Sequence, residues 1–320
     1  YTLHLMEEEP VYNVEFQIEE GDQFRIGLIR VLGNISTNNN VILRESLLVP
    51  GELFDSRRLK ATQMRLESMG YFKSVNVYAV KTPEDEERGE NYRDVIIEVE
   101  ETTTGSLSLF FGFSSIDDLF GGLDLAENNF NYKGFFSWWR DGLSSFRGAG
   151  EYAHARAQIG QRQQTYSVAW MNPYLMDTLW RFGVDVNYSI NELQSDGYKT
   201  NIIGGSIFTN YPLTSYWTFG MKYRLKSSVF KWTGKTKNML NSEIQLARQN
   251  AGIVTGFGPS LSYDSTDNAF KPHRGLRSFS EAEIAGARRR TTDPRVFPFF
   301  RISTSNNYYY PIWRKGTVKL

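Results

Sequence analysis

The side chains that could carry out chemistry in this 320-residue chain are few and widely separated. The three histidines are His4, His154 and His273, and none has the spacing of a zinc-binding pair such as HExxH. Cysteine is absent, which excludes disulfides, thiolate metal sites and cysteine nucleophiles. The sequence also contains neither a phosphate-binding glycine loop nor a nucleophile elbow. We therefore predict a protein that is not an enzyme and that needs no cofactor.

Two charged clusters allow a chemical and a simpler interpretation. Glu281 and Glu283 could act as an acid–base pair. Both side chains fall on one face of a predicted strand, however, where the polar lining of a water-filled barrel explains them more simply. The run Arg288-Arg289-Arg290 could bind a lipid phosphate, although an ordinary solvated loop is the simpler explanation.

Composition narrows the class of protein further. The 36 basic and 36 acidic side chains cancel, so nothing indicates a nucleic-acid partner. No stretch approaches the ~18 apolar residues of a membrane-spanning helix, but an alternating β-barrel gives a much weaker signal and remains possible. No signal peptide precedes Tyr1, which suggests a cut within a longer precursor.

Residues 21–102 have the periodicity of a small α+β domain with the order β-α-α-β-β. The predicted strands run from Phe24 to Leu32, from Phe72 to Val80 and from Asp94 to Val99. A first helix is predicted from Asn40, with Ile42, Leu43 and Leu47 on one face. A second helix is predicted to be capped by Asp55 and ended by Gly70, with Leu59, Met64, Leu66 and Met69 on one face. The predicted core is Ile26, Ile29, Val31, Leu59, Leu66, Phe72, Val75, Val77, Ile97 and Val99. Residues 1–20, with a strand from Val11 to Ile18, are predicted to end a preceding domain of the same kind.

Residues 103–320 show strand alternation only. In Phe182 to Tyr188 and in Trp217 to Leu225, apolar side chains alternate with small or polar ones, so that one face can meet lipid and the other water. We predict about ten antiparallel strands, starting near Gly105, Gly121, Gly148, Thr165, Trp180, Ile202, Trp217, Ile253, Gly275 and Phe299, with an eleventh beginning at Thr317.

Aromatic residues near the strand ends distinguish a membrane barrel from a soluble β-sandwich, which alternates in the same way. Short turns such as Asn172-Pro173-Tyr174-Leu175 and Tyr211-Pro212-Leu213 recur on one side, and longer polar connections such as Lys231 to Arg248 lie on the other. This asymmetry is typical of outer-membrane barrels. The predicted membrane-interface aromatics are Trp138, Trp139, Tyr174, Trp180, Tyr211, Trp217, Tyr310 and Trp313.

These motifs together resemble a known family. The segments Phe24-x-Ile-x-x-Ile-Arg-Val-x-Gly33-Asn34, Gly51-x-x-Phe54-Asp55-x-x-Arg58-Leu59 and Leu66-x-x-Met69-Gly70-Tyr71-Phe72 resemble the signature of a POTRA domain. The segments Gly122-x-x-x-x-Glu127-Asn128-Asn129-Phe130 and Tyr263-Asp264-x-x-Asp267-x-x-x-x-Pro272-x-x-Gly275 are similar to the barrel of BamA-type outer-membrane assembly proteins.

The resemblance implies a periplasmic POTRA domain followed by part of an all-β transmembrane barrel in the cell outer membrane, with about ten of sixteen strands present. It implies a factor that folds and inserts β-barrel proteins, whose partners are unfolded outer-membrane proteins, accessory periplasmic subunits and outer-membrane lipid. In such proteins the first barrel strand closes against the last at a seam that opens laterally. The implied client-pairing residues are Gly105, Ser106, Leu107, Ser108, Leu109, Phe110, Phe111, Gly112 and Phe113.

Two questions stay open from the sequence. A polypeptide transporter of the two-partner secretion type also combines POTRA domains with a barrel, whereas a plain porin has no reason to carry a POTRA domain. The segment from Phe135 to Leu143 is longer than a tight turn and contains adjacent tryptophans. It could rest at the membrane interface or pack against the POTRA domain.

Overall fold

A computed structural model describes residues 2–5, 12–17, 23–81, 91–114, 118–192, 198–232, 244, 251–268, 272–289, 295–313 and 316–319. The chain divides into two compact units, one formed by residues 1–35 and 45–102 and the other by residues 36–44 and 103–320. Among the described residues, no helix is both long enough and apolar enough to cross a membrane.

The first unit contains a three-stranded sheet and a helix in the predicted POTRA order. The elements of the N-terminal region are β1 (Thr2–Leu5), β2 (Tyr12–Glu15), β3 (Arg25–Leu32), α1 (Asn39–Leu43), α2 (Ser56–Ser68), β4 (Phe72–Val80) and β5 (Tyr92–Glu101). β5 lies in the centre of the sheet, parallel to β3 and antiparallel to β4. β1 and β2 pair with each other in a separate antiparallel sheet.

Helix α2 begins and ends as its sequence predicts. The Asp55 carboxylate accepts a hydrogen bond from the backbone N–H of Arg57 at 2.9 Å and so caps the first turn. The Arg57 side chain also binds this carboxylate and holds the pKa of Asp55 below its ordinary value. At the other end Gly70 has a φ of +70°, a conformation that glycine adopts without strain.

Two predictions about helix faces were wrong. Met64 is 59% exposed, and the third buried position of α2, besides Leu59 and Leu66, is the polar Thr62. The Thr62 hydroxyl accepts a hydrogen bond from the backbone N–H of Leu47 at 3.0 Å, which explains why a polar residue lies inside. Leu47 itself lies outside α1, which ends at Leu43.

The pairing of β3 with β5 contains an irregularity that the sequence did not reveal. The register shifts between Ile26 and Ile29, and the fully buried Asp94 carboxylate accepts the Leu28 backbone N–H at 2.7 Å. Arg30 pairs with the same carboxylate at 3.2 Å. Asp94 therefore supplies the acceptor that the bulged backbone lacks, as buried polar groups require.

The hydrophobic core of the first unit agrees with most of the predicted residues. Ile26, Leu59 and Val95 are buried together with Leu48, and Ile29, Phe54 and Val77 pack against them while half-buried. Val31 is also only half-buried, whereas Leu66, Phe72, Val75, Ile97 and Val99 are buried as predicted. Leu48 and Val95 are core residues that we did not predict.

Within the residues that the structure describes, the second unit is one antiparallel meander of eleven strands. The strands are β6 (Gly105–Ser114), β7 (Asp118–Phe130), β8 (Glu151–Gly160), β9 (Gln163–Asn172), β10 (Arg181–Asn191), β11 (Tyr198–Pro212), β12 (Trp217–Trp232), β13 (Gly252–Asp264), β14 (Gly275–Arg289), β15 (Val296–Trp313) and β16 (Gly316–Lys319). They lie side by side in chain order, so β6 and β16 are the outermost strands of the described sheet. β6, β12 and β14 start at the predicted residues. β11 starts earlier, at Tyr198, because this residue already pairs with Trp232.

The sheet has one apolar and one polar face, as the alternation predicted. Tracing the register across neighbouring strands assigns each residue to a face. The face that we call outer carries Leu107, Leu123, Val168, Val186, Ile203, Tyr223, Phe257, Ile284 and Phe300, all exposed. The inner face carries Ser108, Asp124, His154, Asp185, Ser206, Arg224, Glu283 and Arg301.

Asn129, from the Glu127-Asn128-Asn129 motif, organises the connection between β7 and β8. Its side chain donates to the Thr37 hydroxyl at 2.9 Å and accepts the Gly150 backbone N–H at 2.8 Å. Gly148 donates its N–H to the Asn129 carbonyl at 2.7 Å and accepts from the Asn38 N–H. This buried network explains why residues 36–44 belong to the second unit.

Candidate functional site

Strand β6 contains all nine predicted client-pairing residues, from Gly105 to Phe113. It pairs with β7 on one side, and within the described ranges no strand pairs with its other side. We call this other side, which is the edge of the described sheet, the free edge of β6; a strand edge carries backbone donors and acceptors that can pair with a further strand.

The hydrogen-bonding direction of each β6 residue follows from one contact. The Asn128 backbone N–H donates to the Thr104 carbonyl at 3.2 Å, and these two residues are directly opposite in the register. Because hydrogen-bonded pairs alternate along an antiparallel ladder, Ser106, Ser108, Phe110 and Gly112 bond to β7. The backbone groups of Gly105, Leu107, Leu109, Phe111 and Phe113 consequently point to the free edge.

The same odd-numbered residues carry the outer face of β6. Leu107, Leu109, Phe111 and Phe113 are between 65% and 84% exposed. The residues whose backbone groups point to the free edge are thus the same residues whose side chains form the apolar and exposed stripe of the outer face. A strand arriving from lipid would meet both unpaired backbone groups and a matching apolar surface.

Three aromatic–glycine pairs join β6 to β7. Phe110 faces Gly122, Phe111 faces Gly121, and Phe120 faces Gly112 in the register. A Cβ atom added to Gly112 would lie 2.5 Å from the Phe120 ring, and one added to Gly122 would lie 2.4 Å from the Phe110 ring. The glycines therefore leave the space that these rings occupy, and the interlocking opposes sliding of β6 along β7.

Polar residues on the inner face support the Phe110 ring. The Arg156 guanidinium lies 4.8 Å from the centre of this ring. Arg156 is also 3.7 Å from the Asp124 carboxylate, which the His154 Nε2 atom contacts at 3.2 Å. Arg156 of β8 is thus linked to β6 by a cation–π contact and to β7 by an ion pair. These contacts could not be predicted from the sequence, because they depend on the strand register.

Glu281 and Glu283 share the inner face of β14 as predicted, but Glu283 is ion-paired and only 3% exposed. Arg224 binds both of its carboxylate oxygens, at 2.9 and 3.0 Å, and Arg301 binds it at 2.9 Å. Gly256 of the intervening strand has no side chain to block this contact. The arrangement neutralises Glu283 and favours a structural role.

The predicted interface aromatics lie at the end of the sheet where β6 starts. Trp138 and Trp139 lie in the connection between β7 and β8, and the others lie at or next to strand ends. Trp180 packs on Tyr211 at 4.9 Å and Trp217 packs on Tyr263 at 4.8 Å, which joins neighbouring turns. Tyr174 lies instead beneath the Arg44 guanidinium at 4.4 Å. Trp138, Trp139 and Tyr310 are exposed, and the Trp313 side chain lies outside the described residues.

Comparison with known proteins agrees with these features. Residues 145–319 match the model of the Omp85 superfamily domain, and residues 24–102 match the POTRA model, described as a surface antigen variable number repeat. The outer membrane protein assembly factor BamA of Nitratidesulfovibrio vulgaris is 25% identical over 277 residues, which are 86% of this chain and 32% of that protein. The chain thus spans about a third of the length of the curated relatives it matches.

Solved structures share the fold. The structure of Haemophilus ducreyi BamA lacking POTRA domains 1–3 superposes with a TM-score of 0.66 at 16% identity, covering 98% of this chain and 57% of that one. CdiB from Escherichia coli gives a TM-score of 0.51 at 11% identity, covering 91% of this chain and 52% of that one. Since the Omp85 model matches more than half of the residues, the chain belongs to the Omp85 superfamily, with its strand meander in the outer membrane and its POTRA domain in the periplasm.

Proposed function

We propose that this protein folds and inserts β-barrel proteins into the outer membrane by presenting the free edge of β6 to an incoming client strand. The observation that carries the proposal is the coincidence of the free backbone groups with the apolar outer stripe of β6. The names of the curated relatives, which are assembly factors, support the same function.

The physical advantage of such a template is the cost of unpaired backbone in lipid. Each N–H or C=O group without a partner costs several kcal/mol in the bilayer interior. A client strand that pairs with β6 satisfies both its own backbone and the template's. Because main-chain contacts supply the affinity, one template can accept clients of different sequence.

The partners of this activity follow from the proposal. Unfolded outer-membrane proteins are the clients, the outer-membrane lipid receives them, and accessory periplasmic subunits bring clients to the POTRA domain. A sheet edge such as that of β4 in the POTRA domain can hold an extended segment by the same backbone pairing.

Proline substitution tests the template directly. Leu109→Pro removes a donor that points to the free edge, and an edge strand tolerates proline when its N–H faces outward. We expect this variant to reach the outer membrane and to assemble, yet to lose insertion of clients in reconstituted vesicles. Leu109→Ile keeps the donor and should insert clients normally.

Ser108→Pro provides the second comparison because its N–H bonds to β7. This substitution should disturb the β6–β7 ladder and lower the yield of assembled protein. Normal client insertion by a correctly assembled Leu109→Pro variant would contradict the proposal. If that variant instead lost the export of a secreted polypeptide while inserting clients normally, the transporter function would be favoured.

A further inference from the structure

The connection between β7 and β8 forms an ordered loop at residues 132–146. It contains two short 3₁₀ helices, Tyr132–Phe136 and Gly142–Phe146, on either side of the helical turn Trp138–Asp141. We call residues 132–146 the interface loop. It is much longer than the turn at residues 213–216, which joins β11 to β12 at the same end of the sheet.

Hydrogen bonds close the base of the interface loop. The Asn131 backbone N–H donates to the Phe146 carbonyl at 2.8 Å, and its side chain donates to the Ser145 carbonyl at 3.0 Å. Above this base the Phe135 and Phe146 rings meet at 4.9 Å, with Phe130 6.1 Å from each. The loop is therefore ordered by its own hydrogen bonds and has a small aromatic core.

Its contacts place the interface loop on the outer face of the sheet. A register shift after Glu127 sets Phe130 opposite Glu151, which shares the outer face with Trp170. The Tyr132 N–H donates to the Glu151 carboxylate at 3.0 Å, and the Tyr132 ring packs against Trp170 at 5.9 Å. Trp170 lies two residues from the exposed Val168, so the loop adjoins the lipid-facing surface.

The tip of the interface loop, residues 136–143, is mainly apolar and carries no net charge. Phe136 is 71% exposed, Trp139 is 70% exposed and Leu143 is 81% exposed. The one adjacent pair of charges, Arg140 and Asp141, is internally bonded at 2.9 and 3.1 Å. The Arg140 and Asp141 backbone N–H groups both donate to the Ser137 carbonyl, so these two groups are hydrogen-bonded without water.

We propose that the interface loop inserts its tip into the boundary between headgroups and acyl chains of the periplasmic leaflet. The occupant of this surface is membrane lipid, because the tip continues the lipid-facing side of the sheet and its charges are already paired. Amphipathic aromatics favour this depth, where one end of the side chain is apolar and the other is hydrated. The proposal rests on the outer-membrane location and is independent of client pairing by β6.

Fluorescence from a single labelled cysteine tests the insertion. Since the chain has no cysteine, Trp139→Cys provides one site for an NBD label. In protein reconstituted into phosphatidylcholine vesicles, we expect blue-shifted NBD emission, strong quenching by lipids that carry a doxyl group near the headgroup, and weak quenching by aqueous iodide. Leu143→Cys is a second site whose exposed side chain contributes little to packing.

Gln161→Cys serves as the matched control, because Gln161 is exposed in the turn at the opposite end of β8. Its label should emit as in water and be quenched by iodide. Iodide quenching of the 139 and 143 labels equal to this control would overturn the proposal. Blue-shifted emission without doxyl quenching would also overturn it, since protein and not lipid would then cover the tip. A blue shift that appeared only when anionic phosphatidylglycerol was added to the vesicles, and that vanished at high salt, would overturn it as well, because it would indicate electrostatic headgroup binding.

Discussion

At the scale of single residues, the same residue type has different consequences depending on what lies opposite. Gly70 provides a left-handed turn, whereas Gly112 leaves room for an aromatic ring on the next strand. Among acidic residues, Asp55 caps a helix at the surface and Asp94 completes a bulged strand in the core. Their positions in the fold, rather than their residue types, determine these roles.

A buried and an exposed apolar residue of the POTRA domain give a prediction at this scale. Phe72 is buried, and we expect Phe72→Ala to cost about 3–5 kcal/mol by creating a cavity. This is a large part of the roughly 5–15 kcal/mol that stabilises a typical domain. Met64→Ala should change stability by less than about 0.5 kcal/mol, because Met64 is exposed on α2.

Urea denaturation of residues 21–102, which we expect to fold alone, measures both values. Equal losses of unfolding free energy for the two variants would show that the assignment of buried and exposed faces is wrong.

At the scale of elements, the interlocking of β6 with β7 can be tested by exchanging the phenylalanine and the glycine of one facing pair. Phe120→Gly removes the ring that fills the space above Gly112 and should weaken the strand pair by roughly 0.2–1 kcal/mol. Gly112→Phe alone would bring two rings into the same space. The double variant Gly112→Phe/Phe120→Gly returns one ring to the pair from the other strand, so we expect it to recover most of the loss.

Hydrogen exchange of the Ser106, Ser108 and Phe110 amides, which bond to β7, reports this pairing. Protection in the double variant that was no better than in either single variant would contradict the interlocking.

Element types could be predicted from sequence because they depend on local periodicity. The two-residue alternation located the barrel strands, and the Asp55 and Gly70 signals bounded α2. The order of strands in the meander also followed, since consecutive antiparallel strands pair. The aromatic–glycine pairs, the Asp94 contact and the Glu283 ion pairs depend on register between strands, which periodicity alone does not fix.

The strand that contains the proposed client-pairing residues could be predicted from the sequence, but its hydrogen-bonding geometry could not. All nine proposed client-pairing residues fall in β6. Their division into groups that face β7 and groups that face the free edge required the Thr104–Asn128 contact. For the interface loop the sequence allowed two environments, and the contact of Tyr132 with Trp170 supports the lipid-facing one.

At the scale of the whole molecule, a periplasmic POTRA domain precedes a strand meander in the outer membrane, and we propose that the β6 edge of this meander is the template for client strands. The aromatic–glycine pairs keep β6 in register with β7, and its odd-numbered residues present backbone groups outward. A client strand that adds to this edge should take a defined register, because side chains alternate between lipid and interior.

Disulfide mapping of a client stalled during insertion tests whether β6 is the template for the client strand. Single cysteines replace Leu107, Leu109 or Phe111, and single cysteines are placed along the client's last strand. We predict that each β6 position forms a disulfide with one preferred client position, and that this position moves by two residues for each step of two along β6. Phe257→Cys, on the outer face of the interior strand β13, should form none. Disulfides without a preferred register, or disulfides as frequent at residue 257 as along β6, would show that β6 is not the template.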